Sequence, residues 1–303
     1  MPGGSDGPGA PGAARVPGAA GRPGTSVRLR GLIRLAHPFP SLLDGLVVGA
    51  VALVAGGDGL TAARLALSMT ALQVSIGALN DVIDAPTDAG HKPGKPIPAG
   101  LVPRRLGLAV VVGGAGIGLA LGVPSGSATV ALAIVGLAIG FGYDLVFKGT
   151  VWSWVPFAVG IPLLPVYGWV GVAGSLPGSF VVLVPLAVVA GAGLSVANAR
   201  ADTELDTAAG VQSVAIRLGE RRSWLVDAVL LGVVVIVAIA TLAATGASAI
   251  DLVCAVGAGL VVGLGVFVGR GGDRTRREWG WELQAVGAGL LAAVWLAGTP
   301  LGG

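Results

Sequence analysis

Charge is the scarcest property of this 303-residue chain: Asp, Glu, Lys and Arg make up 12% of it, about half the share of a soluble domain. No charged residue falls between Leu106 and Tyr143, between Gly149 and Asn198, or between Ala228 and Ile250. Such runs exclude water as the main solvent, because roughly 20 apolar residues already cross a bilayer core. The two longer runs must fold back as helical hairpins, with turns at Pro124-Ser125-Gly126 and Ser175-Leu176-Pro177-Gly178. Cysteine is nearly absent as well, and Cys254, alone in an apolar run, excludes an internal disulfide framework or a cysteine metal site. Residues 1–28 have no apolar h-region, so they do not read as a cleaved signal peptide. Rich in Gly, Pro, Ala and Arg without periodicity, they are expected to form a disordered cytoplasmic tail ahead of a membrane domain over 29–303. A concentrated basic patch is also missing: the net charge of +3 is spread over short loops, which argues for membrane topology and against a nucleic-acid partner.

What the chain does have is apolar segments between charged or turn-forming ones. They predict an all-α, polytopic bundle with nine transmembrane helices, near residues 36–56, 61–80, 106–123, 127–143, 153–173, 180–199, 223–244, 248–268 and 279–298. Basic residues collect in every second connection: Arg15 to Arg34 in the tail, Lys92 to Arg105, Lys148, Arg200 to Arg222, and Arg270 to Arg277. Only Arg64 of the 19 falls on the other side, so the positive-inside rule places the N-terminus in the cytoplasm. The expected location is the plasma (inner) membrane, with the active site on its cytoplasmic face. Gly114, Gly118 and Gly122 recur on one helix face and read as a seam for close helix packing, not as a phosphate-binding loop.

Two connections on the basic side are long and acidic. One reads Asn80-Asp81-Val-Ile-Asp84-Ala-Pro-Thr-Asp88 and continues to Lys92-Pro-Gly-Lys95-Pro-Ile-Pro98; the other reads Asn198-Ala-Arg200-Ala-Asp202-Thr-Glu204-Leu-Asp206 and continues to Arg217. They share Asn, then Asp four residues on, then Asp four residues on again, which suggests two pseudo-repeated halves. On a helix that spacing aligns all three side chains on one face. Like charges so placed repel unless a cation lies between them. The donors are hard oxygens, which favours Mg2+, and Mg2+ completes its shell with water and phosphate oxygens. The ligand is therefore expected to be phosphorylated, with Lys92, Lys95, Lys148 and Arg217 available to neutralise it. Lys148 and Arg217 serve equally well as plain topology determinants. Asp81 and Glu204 break the register, Asp81 as an alternative or outer ligand and Glu204 as a solvated residue.

On these residues the chain resembles the UbiA superfamily of intramembrane prenyltransferases. Asn80, Asp81, Asp84 and Asp88 match its Asn-Asp-x-x-Asp-x-x-x-Asp motif after the second helix, and Asp202 and Asp206 match its Asp-x-x-x-Asp motif after the sixth. The run Lys92 to Pro98 is similar to the segment that follows the first motif, and Tyr143 with Lys148 to a Tyr and Lys pair after the fourth helix. The resemblance covers about residues 30–303 and includes the nine-helix count. It implies transfer of a prenyl group from a polyprenyl diphosphate to a small, aromatic acceptor. Asp84 and Asp202 would be central to catalysis, with magnesium held by Asn80, Asp81, Asp84, Asp88, Asn198, Asp202 and Asp206. Lys92, Lys95, Tyr143, Lys148 and Arg217 would meet the diphosphate, and a lipid-open apolar tunnel would hold the chain.

Two alternatives stay open. One is a non-aromatic acceptor such as a sugar phosphate or lipid headgroup. The other is a non-catalytic prenyl-lipid binding or transport protein, although transporters bind near the midplane and these carboxylates lie at helix ends. One departure concerns the first helix, where the family has Arg-Pro followed by Asn and this chain has His37-Pro38-Phe39-Pro40-Ser41. If Ser41 stands at the Asn position, a polar contact near the metal is changed. His37 reads as structural, Asp44 as facing the cavity, Asp227 and Asp251 as interfacial, and Tyr167, Trp169, Trp279 and Trp281 as aromatic belt.

Overall fold

The computed structural model describes residues 3, 25–90, 94–208 and 210–299. Among them it contains helices and turns with no strand. Helices α1 (Thr25–Leu35), α2 (Pro38–Val54), α3 (Gly59–Asp88), α4 (Arg104–Gly122), α5 (Ser127–Gly142), α6 (Trp154–Gly160) and α7 (Leu163–Ala173) form the first half. The second half holds α8 (Phe180–Ala201), α9 (Thr203–Ala208), α10 (Val214–Leu218), α11 (Glu220–Ala244), α12 (Ala249–Val268) and α13 (Arg274–Gly298). Eight helical segments are long and apolar enough to cross a membrane, and the bent pair α1 and α2 makes a ninth when taken as one span. The tail expected over 1–28 lies outside the described residues apart from Gly3 and its last four, which already belong to α1.

The helices overrun their apolar segments mainly on the basic side. Helix α3 continues eight residues past the predicted end at 80, and α13 begins at Arg274 instead of 279. Hydropathy marks only the part of a helix that lies in lipid, while backbone hydrogen bonding carries it on into water. The predicted span 153–173 is two helices, since Pro162 follows α6 and cannot donate to its carbonyls. The first span is bent by 52°. The break falls at His37, whose φ of 45° is the only positive value outside glycine among the described residues. Pro38 drives the residue before it away from helical backbone. The hydroxyl of Ser41 donates to the Ala36 carbonyl at 2.8 Å, satisfying an acceptor near the break.

Apolar burial gives little net attraction between helices in lipid, so packing depends on close approach and hydrogen bonds. The glycine seam of α4 meets α3: a Cβ at Gly114 would stand 2.8 Å from the Ala71 carbonyl oxygen, and one at Gly118 would stand 2.6 Å from the Leu72 side chain. From α3, Ser75 donates to the Val111 carbonyl at 2.7 Å and Ser68 to the Gly118 carbonyl at 2.6 Å. At the face with few charges, Arg64 caps α4 through the Leu121 carbonyl at 2.6 Å and holds Ser125 at 2.9 Å.

Three side-chain clusters fill the bundle among the described residues, one around Leu65, Met69, Leu72 and Tyr167, a second around Leu183, Leu231, Val262 and Trp295, and a smaller third around Leu35, Ala78, Val102 and Val111. Helix α2 packs on both α3 and α13 and so closes the two halves on each other. Several expectations need correction here. Tyr167 and Trp169 are not belt residues: Tyr167 is buried and bonded to Ser68 at 2.6 Å, and Trp169 packs edge-on against Phe180. Trp281 packs on Phe39 between α13 and α2, whereas Trp279 is exposed as a belt residue should be. Asp227 is fully buried inside the bundle, about two turns from the start of α11, with Gln284 donating to it at 3.1 Å and Arg200 3.9 Å away. Asp251 does lie at a helix end, in a capping box with Ser248.

Gly118→Leu should lower stability by roughly 1–3 kcal/mol through overpacking of the α3–α4 seam. Gly113→Leu, where a Cβ meets nothing within 4 Å, should leave it nearly unchanged; thermal unfolding of the two variants in detergent compares them.

Candidate active site

Because α3 runs on past its apolar part, Asn80, Asp81, Asp84 and Asp88 all ride on one helix, which ends just before Gly90 at a φ of 82°. The second acidic segment differs from its expected single face. Helix α8 stops at Ala201, Asp202 leaves helical geometry at φ −101° and ψ 8°, and α9 restarts at Thr203. The Asp206 amide still donates to the Asp202 carbonyl at 2.8 Å, so the break turns the chain without releasing it.

The two segments converge on one cavity of about 560 Å³. Asn80, Lys95, Tyr143, Asp144 and Lys148 line it from the first half, and Asn198, Asp202 and Arg274 from the second. Tyr143 stands at the meeting point, within electrostatic reach of Asp84, Asp144, Asp202 and Asp206. It follows α5 in a wider π turn, Tyr143–Phe147, and its ring packs edge-on against Phe157 at 5.6 Å. Much of the remaining wall is apolar, with Met69, Leu72, Ile76, Leu132 and Leu164, and Ser41, Asp44, Gln73 and Glu282 are polar groups within it.

At the polar end the carboxylates are matched with cations. Lys148 bonds Asp84, and Lys95 bonds Asp81. His37 lies 3.1 Å from the same Asp81 oxygen, which ties the strained backbone of the α1–α2 bend to α3. Arg274 reaches Asp202 at 3.4 Å and Glu278 at 2.8 Å. Glu204 is ion-paired to the buried Arg277, not simply solvated; partial burial works against its charge, but the Arg277 hydrogen bond prevails and holds its carboxyl below the usual range. Asn80 donates to Asp144 at 2.7 Å.

The donor set suits a hard divalent cation. Asp81 and Asp144 each keep one buried carboxylate oxygen with no hydrogen-bond partner, an arrangement that costs free energy unless positive charge arrives. Among the described residues, no three carboxylate, His or Cys groups are already gathered around one point. Lysine and arginine occupy the places where a metal would draw the carboxylates together.

The remaining expected residues divide. Asp88 is buried at the end of α3, and Asp81 is buried beside Lys95 and His37. Asp44 lines the cavity and accepts from Gln73 at 2.6 Å. Ser41 also lines it, but its hydroxyl is committed to Ala36. Arg217 is exposed on α10 and is not among the cavity-lining residues. Lys92 lies outside the described residues. Sequence reasoning missed Asp144, Gln73 and Arg274. The signal for Asp144 was its position four residues before Lys148, and for Arg274 its position four residues before Glu278, both the spacing of a helical ion pair.

Comparison with known proteins points one way. The sequence profile of the UbiA prenyltransferase family matches residues 45–296. A digeranylgeranylglyceryl phosphate synthase of Natronomonas pharaonis is 32% identical over 206 residues, which is 66% of this chain and 73% of that protein. The apo structure of a UbiA homolog from Aeropyrum pernix K1 superposes with a TM-score of 0.70 at 21% identity, covering 84% of this chain and 96% of the homolog. A UbiA homolog from Archaeoglobus fulgidus, bound to GPP and Mg2+, gives a TM-score of 0.67 at 16% identity over 87% of this chain and 99% of its own.

The Lys148–Asp84 pair joins α3 to the turn after α5, so Lys148→Met and Asp84→Asn should be non-additive. A double-mutant cycle in reversible SDS unfolding should give a coupling of about 1–2 kcal/mol; additive effects would mean that the pair does not hold these segments together.

Proposed function

The chain belongs to the UbiA prenyltransferase family, and from that membership we propose that it transfers a prenyl group from a polyprenyl diphosphate to a small acceptor inside the membrane, with magnesium. The observation that carries this reading is the convergence of both acidic segments, through Asn80 on one side and Asn198 and Asp202 on the other, at the charged end of one cavity whose wall is otherwise largely apolar. Asp84, Asp88, Asp202 and Asp206, with Asn80, Asn198 and the partnerless oxygen of Asp81, would hold the metal. Magnesium, when bound, neutralises the diphosphate and makes it a better leaving group.

The chain's own residues do the rest. Lys95 and Lys148 line the cavity while paired to Asp81 and Asp84, so each is already placed to share its charge with an incoming diphosphate. Holding these cations before the donor arrives avoids reorganisation during bond breaking. The apolar wall from Met69 to Leu164 receives the prenyl chain and keeps water away from the allylic carbon as positive charge develops there. The rings of Tyr143 and Phe157 offer that carbon a π surface.

The reading covers an aromatic acceptor and a non-aromatic one, the latter represented by the relative from Natronomonas pharaonis, named for a glyceryl phosphate product. The basic loops support an active site on the cytoplasmic face of the plasma membrane.

In native membranes, which hold the acceptor, supplied with geranyl diphosphate and Mg2+, the protein should transfer the prenyl group and release diphosphate, and EDTA should stop the release. Asp84→Asn and Asp202→Asn should each lower kcat at least about a hundredfold, the loss expected when one group that stabilises transition-state charge is removed. Turnover at the wild-type rate in both variants would reject the proposal.

A further inference from the structure

The polar groups of the cavity are sorted by depth. Among the described residues four cationic side chains line it: His37, Lys95, Lys148 and Arg274. All four sit at the acidic end, each paired with a carboxylate. Two helical turns further in, the polar groups are different. Gln73 precedes Asn80 by seven residues on α3, Asp44 follows His37 by seven on α2, and Glu282 follows Arg274 by eight on α13. At a rise of about 1.5 Å per residue these offsets amount to roughly 10–12 Å. All three side chains line the cavity at that depth. Asp44 takes one hydrogen bond, from Gln73 at 2.6 Å, and its second oxygen has none among the described residues. Glu282 has no hydrogen-bond or ion-pair partner among them, and its nearest charged influence is Glu278.

Resting on the donor site proposed above, we infer that the acceptor, unlike the glyceryl phosphate for which the Natronomonas pharaonis relative is named, is an uncharged molecule presenting a hydroxyl group, which donates to the free oxygen of Asp44. With the diphosphate held at the cationic end, the acceptor must approach the prenyl carbon from the deeper side. An acceptor carrying a carboxylate or phosphate would there lose its hydration beside the carboxyl groups of Asp44 and Glu282 and meet no positive charge in return. A hydroxyl gains a hydrogen bond to the Asp44 oxygen instead. Asp44 also borders a small apolar recess of about 90 Å³, walled by Leu43, Leu183, Ala187 and Trp295, so the hydroxyl is carried next to an apolar group. Asp44 is therefore a specificity-determining residue and Gln73 its positioning partner.

The test uses the full chain in lipid nanodiscs with Mg2+ and the slowly reacting analogue geranyl S-thiolodiphosphate. Isothermal titration then compares two matched pairs of probes: 4-hydroxybenzyl alcohol with 4-hydroxybenzoate, and 1-O-octylglycerol with its 3-phosphate. The neutral member of at least one pair should bind tenfold or more tightly than its anionic partner, and the pair that binds tells an aromatic from an alkyl acceptor. Asp44→Asn should bring that ratio down toward one while leaving analogue affinity unchanged. Asp44→Leu, which suits the apolar surroundings of α2, should do the same if the Asn variant folds poorly. Equal or tighter binding of the anionic probes, no binding of either neutral probe, or a ratio that neither substitution changes would overturn the inference and leave Asp44 and Gln73 as a contact between α2 and α3. Failure of the analogue itself to bind the wild type would instead count against the donor site.

Discussion

A carboxylate at the edge of a bilayer must find positive charge, and the arrangement of this protein follows from how that need is met. Asp84 takes Lys148, Asp81 takes Lys95 and His37, and Asp202 takes Arg274. Each pair joins segments that are remote in the chain: α3 to the turn after α5, α3 to the loop before α4, and the α8–α9 break to the start of α13. Removing one member of such a pair leaves the other charge uncompensated, which costs more than the pair itself contributes. The ends of both halves are thereby held around one space. Under the proposed function the same cations would receive the diphosphate, so that structural and functional demands would fall on the same residues.

The helices below provide the rigidity that this charge cluster requires. Close approach of α4 to α3 along Gly114 and Gly118 lets Ser68 and Ser75 bond across the interface, so the helix bearing the first acidic motif is braced along its length. The α1–α2 bend brings His37 to Asp81 at the cost of a left-handed backbone, which persists because Pro38, the Ser41 hydroxyl and the Asp81 contact all favour it. Strain in this fold is thus found beside the site.

The cavity grades from paired charges to unpaired carboxylates and then to hydrocarbon. That order fits a reaction in which an anion leaves at one end, a cationic carbon forms in the middle, and a hydrocarbon chain stays in lipid-like surroundings. Buried charge on Asp227 and Arg200, outside the cavity lining, serves a different purpose: with Gln284 it ties α8 to α11 and α13, just below the turn at Asp202.

Much of this was legible without coordinates. Membrane spans follow from runs such as 106–143 because lipid tolerates no unmatched charge, and the acidic segments stood out because carboxylates are costly there. Patterns of hydrophobicity and charge are one-dimensional consequences of the solvent, so the chain itself determined the helical class, the number of spans, and which two connections carry the acidic segments. Tertiary structure alone decided which polar groups share a space. It turned Asp44 toward Gln73 and Asp144 toward Asn80, buried Asp227 and Tyr167, and left Arg217 outside. Those outcomes depend on helix rotation, bends at proline and contacts between remote segments, and a residue's neighbours in sequence carry no record of them.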